Sequence, residues 1–337
     1  MSSALSTGAL TLLDWAKRLD PNGKVPTIVE LLAQTNEILD DMLWMEGNLP
    51  TGHRTTVRTG LPTVYWRMLN QGIAPSKSTT AQIDEGAAML EAWSSTDKDL
   101  AELNGNVRAF RLSEARAYIE AMNQEMAGTL FYGNVGTAPE EFSGLATRYS
   151  STTAGNGQNI ILPTTAQSDN YSIWLIVWGE NTVFGVFPKG SKAGLVHEDL
   201  GLQTVTVTAG VGGTLMRAYQ DRWQWKCGLV VKDWRYIVRI ANIDASDLVA
   251  LAGTTASEKL TKYMTKATYL IPNLNAGKAV FYMNRETAYC LDYTRRADVI
   301  TGGGLSYDNV DGKRVMRFRG IPIRICDQLV TETTAVS

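Results

Sequence analysis

The segment from Gly185 to Lys192 is the part of the chain most similar to a nucleotide-binding motif. It reads Gly-Val-Phe-Pro-Lys-Gly-Ser-Lys. In a phosphate-binding P-loop the lysine comes before the Ser or Thr, because it must reach the β- and γ-phosphates while the hydroxyl binds Mg²⁺. Here Ser191 precedes Lys192, and Pro188 lies inside the loop. This order argues against nucleotide binding.

The sequence also lacks the motifs of metal-dependent and nucleophilic catalysis. The chain has two histidines, His53 and His197. His197 is followed by Glu and Asp, without the second histidine of an HExxH zinc helix. The three cysteines are Cys227, Cys290 and Cys326. They form no CxxC pair, so no set of four zinc ligands at short spacing exists. No GxSxG nucleophile turn occurs either.

Two pairs of neighbouring carboxylates and a glycine run also lack the spacing of a reactive site. Asp40-Asp41 and Glu140-Glu141 are adjacent in sequence, and adjacent positions do not share a helix face. They are therefore interpreted as cap or surface residues. Gly302-Gly303-Gly304 follows no dinucleotide-binding strand and is interpreted as a loop. The sequence thus predicts a protein that is not an enzyme, with no cofactor and no metal.

Composition narrows the class of protein further. With 337 residues, 44% of them hydrophobic, the chain can bury a large core without metals or disulfides. A net charge of -2 is not that of a dedicated nucleic-acid-binding protein, so contact with DNA should be weak and salt-sensitive. The N-terminus has no secretory pattern, and the apolar run 173–178 is far short of the ~20 residues of a membrane helix. We expect synthesis in the cytoplasm and no membrane association.

The first half of the chain alternates between helical and charged segments. Residues 1–46 predict two helices, interrupted at Pro21-Asn22-Gly23. A basic segment follows, and its alternation around Leu61-Pro62-Thr63 predicts a long β-hairpin. Its cations are Arg54, Arg58, Arg67 and Lys77. An acidic segment comes next, with Asp84, Glu85, Glu91, Asp97, Asp99 and Glu102. The two could be complementary between copies of the chain, or they could be two solvated faces of opposite sign.

The rest of the chain mixes helices and strands. Residues 106–132 lack proline and carry an apolar stripe, which predicts a helix of about 36 Å that ends at Gly133. The polar segment 149–169 predicts a flexible surface loop. Strands are predicted at 173–178, 183–187, 223–231 and 234–240, with a break at Lys232-Asp233. The last hundred residues predict a helix ended by Pro272, a strand at 279–283, a helix at 285–293 and a strand pair at 315–326. The predicted class is α+β.

Three features resemble the Hong Kong 97-type major capsid proteins of tailed double-stranded DNA bacteriophages. The order of N-terminal helices, basic hairpin and long helix is similar to the family's N-arm, E-loop and spine helix of the peripheral (P) domain. Lys278-Ala-Val-Phe-Tyr-Met-Asn284, running into a helix, is similar to an element of the axial (A) domain. The Gly320-Ile-Pro322 strand resembles another A-domain element. The resemblance covers nearly the whole chain.

The resemblance implies a domain organisation. It places the N-terminal arm at 1–46, the E-loop at 47–95, the P-domain at 96–245 and the A-domain at 246–337. Only ten residues follow the Gly-Ile-Pro strand region, where most of the family has further P-domain strands. We therefore expect a rearranged strand order, similar to a Bordetella-phage-like subgroup of short-tailed phages, with P-domain strands within 171–243 preceding the A-domain.

The resemblance also implies a function and partners. Copies should assemble as pentamers and hexamers into an icosahedral shell around phage DNA, with a separate scaffolding protein, a portal and a cement or decoration protein as further partners. A tail or accessory virion protein is the alternative. The candidate intersubunit contacts are Arg54, Arg58, Arg67, Lys77, Asp84, Glu85 and Glu91.

Overall fold

The structure, a computed structural model, describes residues 34–103, 106–163, 168–206, 215–250, 255–297, 305–310 and 313–337. The helices are α1 (Ile38–Asp41), α2 (Lys98–Glu102), α3 (Val107–Tyr132), α4 (Leu145–Arg148), α5 (Ala245–Ala250), α6 (Thr255–Leu270) and α7 (Arg285–Ala297). The first seven strands are β1 (Trp44–Glu46), β2 (Gly52–Gly60), β3 (Thr79–Gly86), β4 (Ala88–Asp97), β5 (Ile160–Ile161), β6 (Asn170–Trp178) and β7 (Val183–Phe187). The others are β8 (Leu195–Thr206), β9 (Leu215–Val231), β10 (Ile237–Asp244), β11 (Lys278–Met283), β12 (Leu305–Val310), β13 (Lys313–Phe318) and β14 (Ile321–Ile325).

The chain divides into two compact units. The first comprises Met1–Thr35, Met89–Ala127 and Gly194–Lys226, and the second comprises Asn36–Ala88, Gly128–Ala193 and Cys227–Ser337. The arm helices predicted up to residue 33 lie outside the described residues. Within the described residues the second predicted arm helix corresponds to α1, after which the chain continues into strand β1, which pairs in parallel with β7.

The first unit contains a three-stranded arrangement and most of a long helix. Strands β8 and β9 pair antiparallel from Leu195↔Trp225 to Thr206↔Leu215, and β4 lies on the other side of β9. Helix α3 has 26 residues, about 39 Å at 1.5 Å per residue. The prediction of this helix is confirmed. It ends where Gly133 donates its backbone N–H to the carbonyl of Thr129 at 2.9 Å.

Strand β6 is the centre of the second unit, and all nine of its residues are buried. Strands β10 and β11 pair with it antiparallel, one on each side. Strand β14 lies parallel to β11, β13 lies antiparallel to β14, and β12 lies antiparallel to β13. A strand with a continuous apolar run must be covered on both faces. The apolar run at 173–178 predicted such a strand.

Each face of β6 has its own cover. Ile173, Leu175 and Val177 belong to a hydrophobic cluster with residues of α6 and α7. The alternate residue Trp174 contacts aromatic rings on the opposite face, with centroids 6.4 Å from Phe131 and 6.0 Å from Tyr149. The alternation of side chains along a strand explains why one strand needs two covering layers.

The order of strands in the sheet is not their order along the chain, as the predicted rearrangement requires. Strands β6, β7 and β10 share the sheet with β11 and β14. The boundary predicted between residues 245 and 246 therefore passes through one sheet. The assignment of the four named domains stays a prediction.

The local predictions for the second unit have mixed outcomes. Strands β6, β7, β11, β13 and β14 and helices α6 and α7 confirm the predicted elements. A short helical turn at Trp234–Tyr236 separates β9 from β10 after the predicted break. The flexible surface loop at 149–169 is wrong in part, because Tyr149 is buried and β5 pairs in parallel with β10. The glycine run 302–304 lies outside the described residues.

The last residues of the chain are held by buried polar contacts. Arg239 on β10 is 3% exposed. Its Nη2 donates to Oε2 of Glu332 at 2.6 Å, and its Nη1 donates to the carbonyl of Tyr149 at 2.7 Å. The side chain of Asn242 donates to the carbonyl of Val336 and accepts from the Val336 N–H, both at 2.9 Å.

Substitution of Glu332 tests this arrangement. Glu332→Gln removes the charge that compensates buried Arg239, and breaking a buried pair on one side costs ~3–5 kcal/mol. We expect a loss of this size in the free energy of unfolding, measured by urea denaturation. Glu180→Gln, at an exposed position, is the matched control and should change it by less than ~0.5 kcal/mol. Equal effects of the two variants would contradict the role of the Arg239–Glu332 pair.

Candidate assembly interface

Strands β2 and β3 form a two-stranded sheet of their own within the described residues. The register pairs Arg54 with Asp84 and Arg58 with Thr80. The prediction of a hairpin in this region is confirmed, but its predicted second strand is wrong: β3 lies at 79–86, and residues 61–78 form the connection. Pro62 and Pro75 have no backbone N–H to donate to a neighbouring strand, which disfavours strand pairing in the connection.

The connection between β2 and β3 carries large apolar side chains that face solvent. Trp66 is fully exposed, and Val64 and Leu69 are 88% and 92% exposed. The other exposed large hydrophobic residues of the connection are Leu61, Tyr65, Met68 and Ile73. An isolated exposed leucine is ordinary, but a contiguous exposed apolar segment is typical of a surface that binds another protein. We refer to residues 61–78 as the hairpin tip.

The acidic partner of Arg54 lies in the same chain. The Arg54 Nε and Nη2 donate to the two carboxylate oxygens of Asp84, both at 2.6 Å. This bidentate pair lowers the pKa of Asp84 and raises that of Arg54, chiefly through the side-chain hydrogen bonds. Both side chains are about half exposed, so the pair fixes the register of the hairpin more than it adds stability.

Glu85 ties the hairpin to another segment of the second unit. Arg148, at the end of α4, donates Nη1 to Oε1 of Glu85 at 2.5 Å and Nη2 to Oε2 at 2.6 Å. The two side chains are 20% and 11% exposed, so this fork is partly shielded from water. A bidentate Arg–carboxylate pair adds directional specificity to its charge attraction. It therefore joins β3 to α4.

Glu91 belongs to the first unit and is also paired. Its Oε2 accepts from Arg222 at 2.9 Å and from Gln224 at 2.8 Å, and its Oε1 accepts from the indole N–H of Trp93. These bonds, that of Arg222 first, lower its pKa to about 2. Arg222 lies with its guanidinium carbon 5.6 Å from the Trp93 ring centroid. The carboxylate thus links β4 to β9.

The other candidate residues have no ion-pair partner in the described parts of the chain. They are Arg58, Arg67 and Lys77. Arg58 lies at a groove of about 910 Å³ in the second unit, together with Lys232, Arg148 and Arg235. Sequence reasoning missed Arg148 and Arg222, because nothing in their neighbourhood in the sequence marks them as partners of distant carboxylates. The intersubunit roles of the seven candidates stay predictions.

The histidine and acid segment of β8 is part of a polar network in the first unit. Arg111 of α3 donates to Asp221 at 2.8 Å and to Asp199 at 2.5 Å, and the His197 Nε2 lies 2.9 Å from Asp221. The His197 ring is stacked on Trp223 with centroids 5.2 Å apart. The polar groups of these side chains therefore bind one another. Within the described residues, no group of three or more His, Cys, Asp or Glu side chains is arranged to hold a metal ion.

None of the described helices combines the length and the apolar character that crossing a membrane requires.

Comparison with known proteins assigns this fold to a class. The profile of the family described as "Major capsid protein GP7" matches residues 20–337. A chain of the cryo-EM structure of Bacteriophage Epsilon15 is 33% identical, with 99% of each chain covered and a TM-score of 0.75. The chain is also similar to one in the Bacteriophage JBD30 capsid (10% identity, 89% and 93% covered, TM-score 0.49) and one in the capsid of a native GTA particle (11%, 67% and 95%, 0.46). A comparison with curated protein sequences gave no match.

The mixed α+β fold, the family match and the similarity to the Epsilon15 chain define a Hong Kong 97-type capsid protein of tailed phages. The chain belongs to the major capsid protein GP7 family. It is a structural protein of the virion that self-assembles into a shell. The resemblance noted in the sequence is confirmed.

The Glu85 fork yields a prediction about the hairpin. Glu85→Gln keeps the shape of the side chain but removes the charge that Arg148 binds, so the hairpin should open more often while the sheet stays folded. We expect faster amide hydrogen exchange across residues 52–86 and unchanged exchange in β6. Glu140→Gln, at an exposed position, serves as the control. Unchanged exchange in the hairpin would show that the fork does not hold it.

The low pKa of Glu91 yields a prediction about acid stability. Its pKa falls from 4.5 to about 2 in the folded chain. The native state therefore gains stability above pH 4.5 and loses this contribution as the pH falls from 4.5 towards 2. Glu91→Gln should flatten the dependence of the urea midpoint on pH in this window. An identical slope in the variant and the original chain would contradict the assignment.

Proposed function

We propose that this chain assembles as pentamers and hexamers into an icosahedral shell that encloses phage genomic DNA, and that the hairpin tip lies on a neighbouring copy. The observation that carries the proposal is the exposure of the tip. Its apolar side chains have no cover in the described parts of the chain. A copy of the same chain is the partner present at the highest local concentration during shell assembly.

The free energy available from covering the tip is large. Burying a tryptophan removes ~150–250 Å² from water, and apolar area contributes ~25 cal/mol per Å². Trp66 alone could therefore contribute up to about 4–6 kcal/mol before the cost of ordering the tip is subtracted. Tryptophan is also the residue type most enriched among those that dominate binding energy at interfaces. Repeated around a closed shell, one such contact per subunit favours assembly.

The domain assignment fits this proposal. The hairpin with its tip, within residues 47–95, is the E-loop, and α3 is the spine helix of a P-domain at 96–245. Residues 1–46 are the N-terminal arm, and residues 246–337 are the A-domain. In this organisation the E-loop is the element that a neighbouring copy covers, which accounts for its exposed apolar residues.

Further partners follow from the shell. A separate scaffolding protein directs closure, a portal occupies one vertex, and a cement or decoration protein stabilises the outside. Contact with packaged DNA is weak and non-specific, since the chain has a net charge of -2. Synthesis takes place in the cytoplasm of the bacterial host.

The tip can be tested by matched leucine substitutions. Leu69→Ser removes an apolar side chain that is 92% exposed from the tip, and Leu215→Ser removes one that is 68% exposed from the first unit. Co-expressed with the scaffolding protein of the phage, the original chain and Leu215→Ser should give closed shells in negative-stain microscopy and light scattering. Leu69→Ser, and more strongly Trp66→Ser, should leave folded, unassembled protein. Shells from Trp66→Ser, or a small oligomer that never forms capsomers from the original chain, would contradict the proposal.

A further inference from the structure

The structure divides the charged residues of the hairpin region into those with and without a partner. Asp84, Glu85 and Glu91 bind Arg54, Arg148 and Arg222 within the chain. In the acidic segment this leaves Asp97, Asp99 and Glu102. Asp99 is exposed, and its carboxylate has no partner among the described residues. Glu102 has only a 3.7 Å contact between its Oε2 and Lys98 Nζ.

The three acidic residues that remain, Asp97, Asp99 and Glu102, are concentrated in one turn of the chain. Asp97 accepts the Asp99 N–H at 2.8 Å as the cap of α2, while Leu100 and Ala101 of the same helix are buried. The buried pair anchors the turn, so the carboxylates are presented from a fixed backbone. Three carboxylates and one lysine stand within Asp97–Glu102. We refer to this segment as the acidic turn.

The groove at Arg58 has the opposite charge. Its lining includes four cationic side chains, Arg58, Arg148, Lys232 and Arg235, and two carboxylates, Glu85 and Asp233. Both carboxylates are already used, Glu85 by Arg148 and Asp233 by Arg235 at 2.7 Å. Arg58 and Lys232 are the cations left over. The Lys232 ammonium lies 5.1 Å from the Phe184 ring centroid, and no carboxylate among the described residues pairs with it.

We propose that the groove at Arg58 and Lys232 binds the acidic turn of a neighbouring copy. The excess charges are opposite in sign and similar in size, and Asp99 of the anchored turn is exposed and can enter a cationic groove. Complementary charge across an interface selects the partner and its register, while like charges placed together are strongly unfavourable. A second copy is the occupant because the same chain carries both surfaces, as a repeating assembly requires.

This inference rests on the proposed function and specifies which charges pair between copies. It leaves Arg54, Asp84, Glu85 and Glu91 with roles inside each subunit. The apolar hairpin tip supplies binding energy, and the groove determines where strands β2 and β3 rest on the neighbour.

Charge exchange tests the pairing. Arg58→Glu and Asp99→Arg each place like charges together, so each should lower the yield of closed shells at least about tenfold at low salt. The double variant restores opposite charges and should recover the yield to within about threefold of the original chain, as the coupling in a double-mutant cycle. Lys192→Glu, an identical charge change at an exposed loop residue, should assemble normally.

Failure of this inference and failure of the proposed function give different results. Normal shells from either single variant, or a double variant no better than its parents, would overturn the groove pairing while shells of the original chain uphold the function. A second readout is a short bismaleimide linker applied to Arg58→Cys/Asp99→Cys in assembled protein. A ladder of linked subunits is expected, and its absence from intact shells would also overturn the pairing. Thermal unfolding of each variant should match that of the original chain, because Arg58 and Asp99 are exposed.

Discussion

Strand β6 has nine consecutive buried residues, and the second unit is organised by the need to cover both of its faces. Water must be excluded from Ile173, Leu175 and Val177 on one face. It must also be excluded from Trp174 and the other residues of β6 that point to the opposite face. Helices α6 and α7 cover the first side. The last turn of α3 and the segment around Tyr149 cover the second.

Complete burial makes every polar group that enters this region costly unless it is paired. Arg239 on the neighbouring strand β10 is therefore surrounded by acceptors: Glu332, the carbonyl of Tyr149 and the hydroxyl of Ser172. Asp41 is a parallel case, with Lys278 at 2.5 Å and the hydroxyl of buried Tyr282 at 3.2 Å. Burial and the nearby Asp41 carboxylate raise the pKa of Tyr282, so this phenol stays protonated. Segments distant in sequence are thereby held to one core.

Shell proteins must fold as single chains and still leave surfaces that only a neighbour completes. Here each of the two requirements is met by a different kind of interaction. Partly shielded ion pairs, such as that of Glu85 with Arg148, fix the hairpin within one subunit. In the proposed assembly, exposed apolar groups at the hairpin tip and the leftover charges at Arg58 and Asp99 provide the surfaces between subunits. Exposed charge pairs are individually weak, which allows misplaced subunits to dissociate during assembly.

The sequence alone determined the elements that depend on local pattern. An unbroken apolar run gave β6, the absence of proline with a regular stripe gave α3, and the order of motifs indicated the capsid family. Strand pairing and charge partners required the tertiary structure. The hairpin partner of β2 begins only at Thr79, after a long connection, so alternation near residue 61 could not locate it. Glu85 and Arg148 are separated by 63 positions, and Glu91 and Arg222 by 131. A periodicity reports which face of an element is buried, but a contact between distant segments depends on how the whole chain packs.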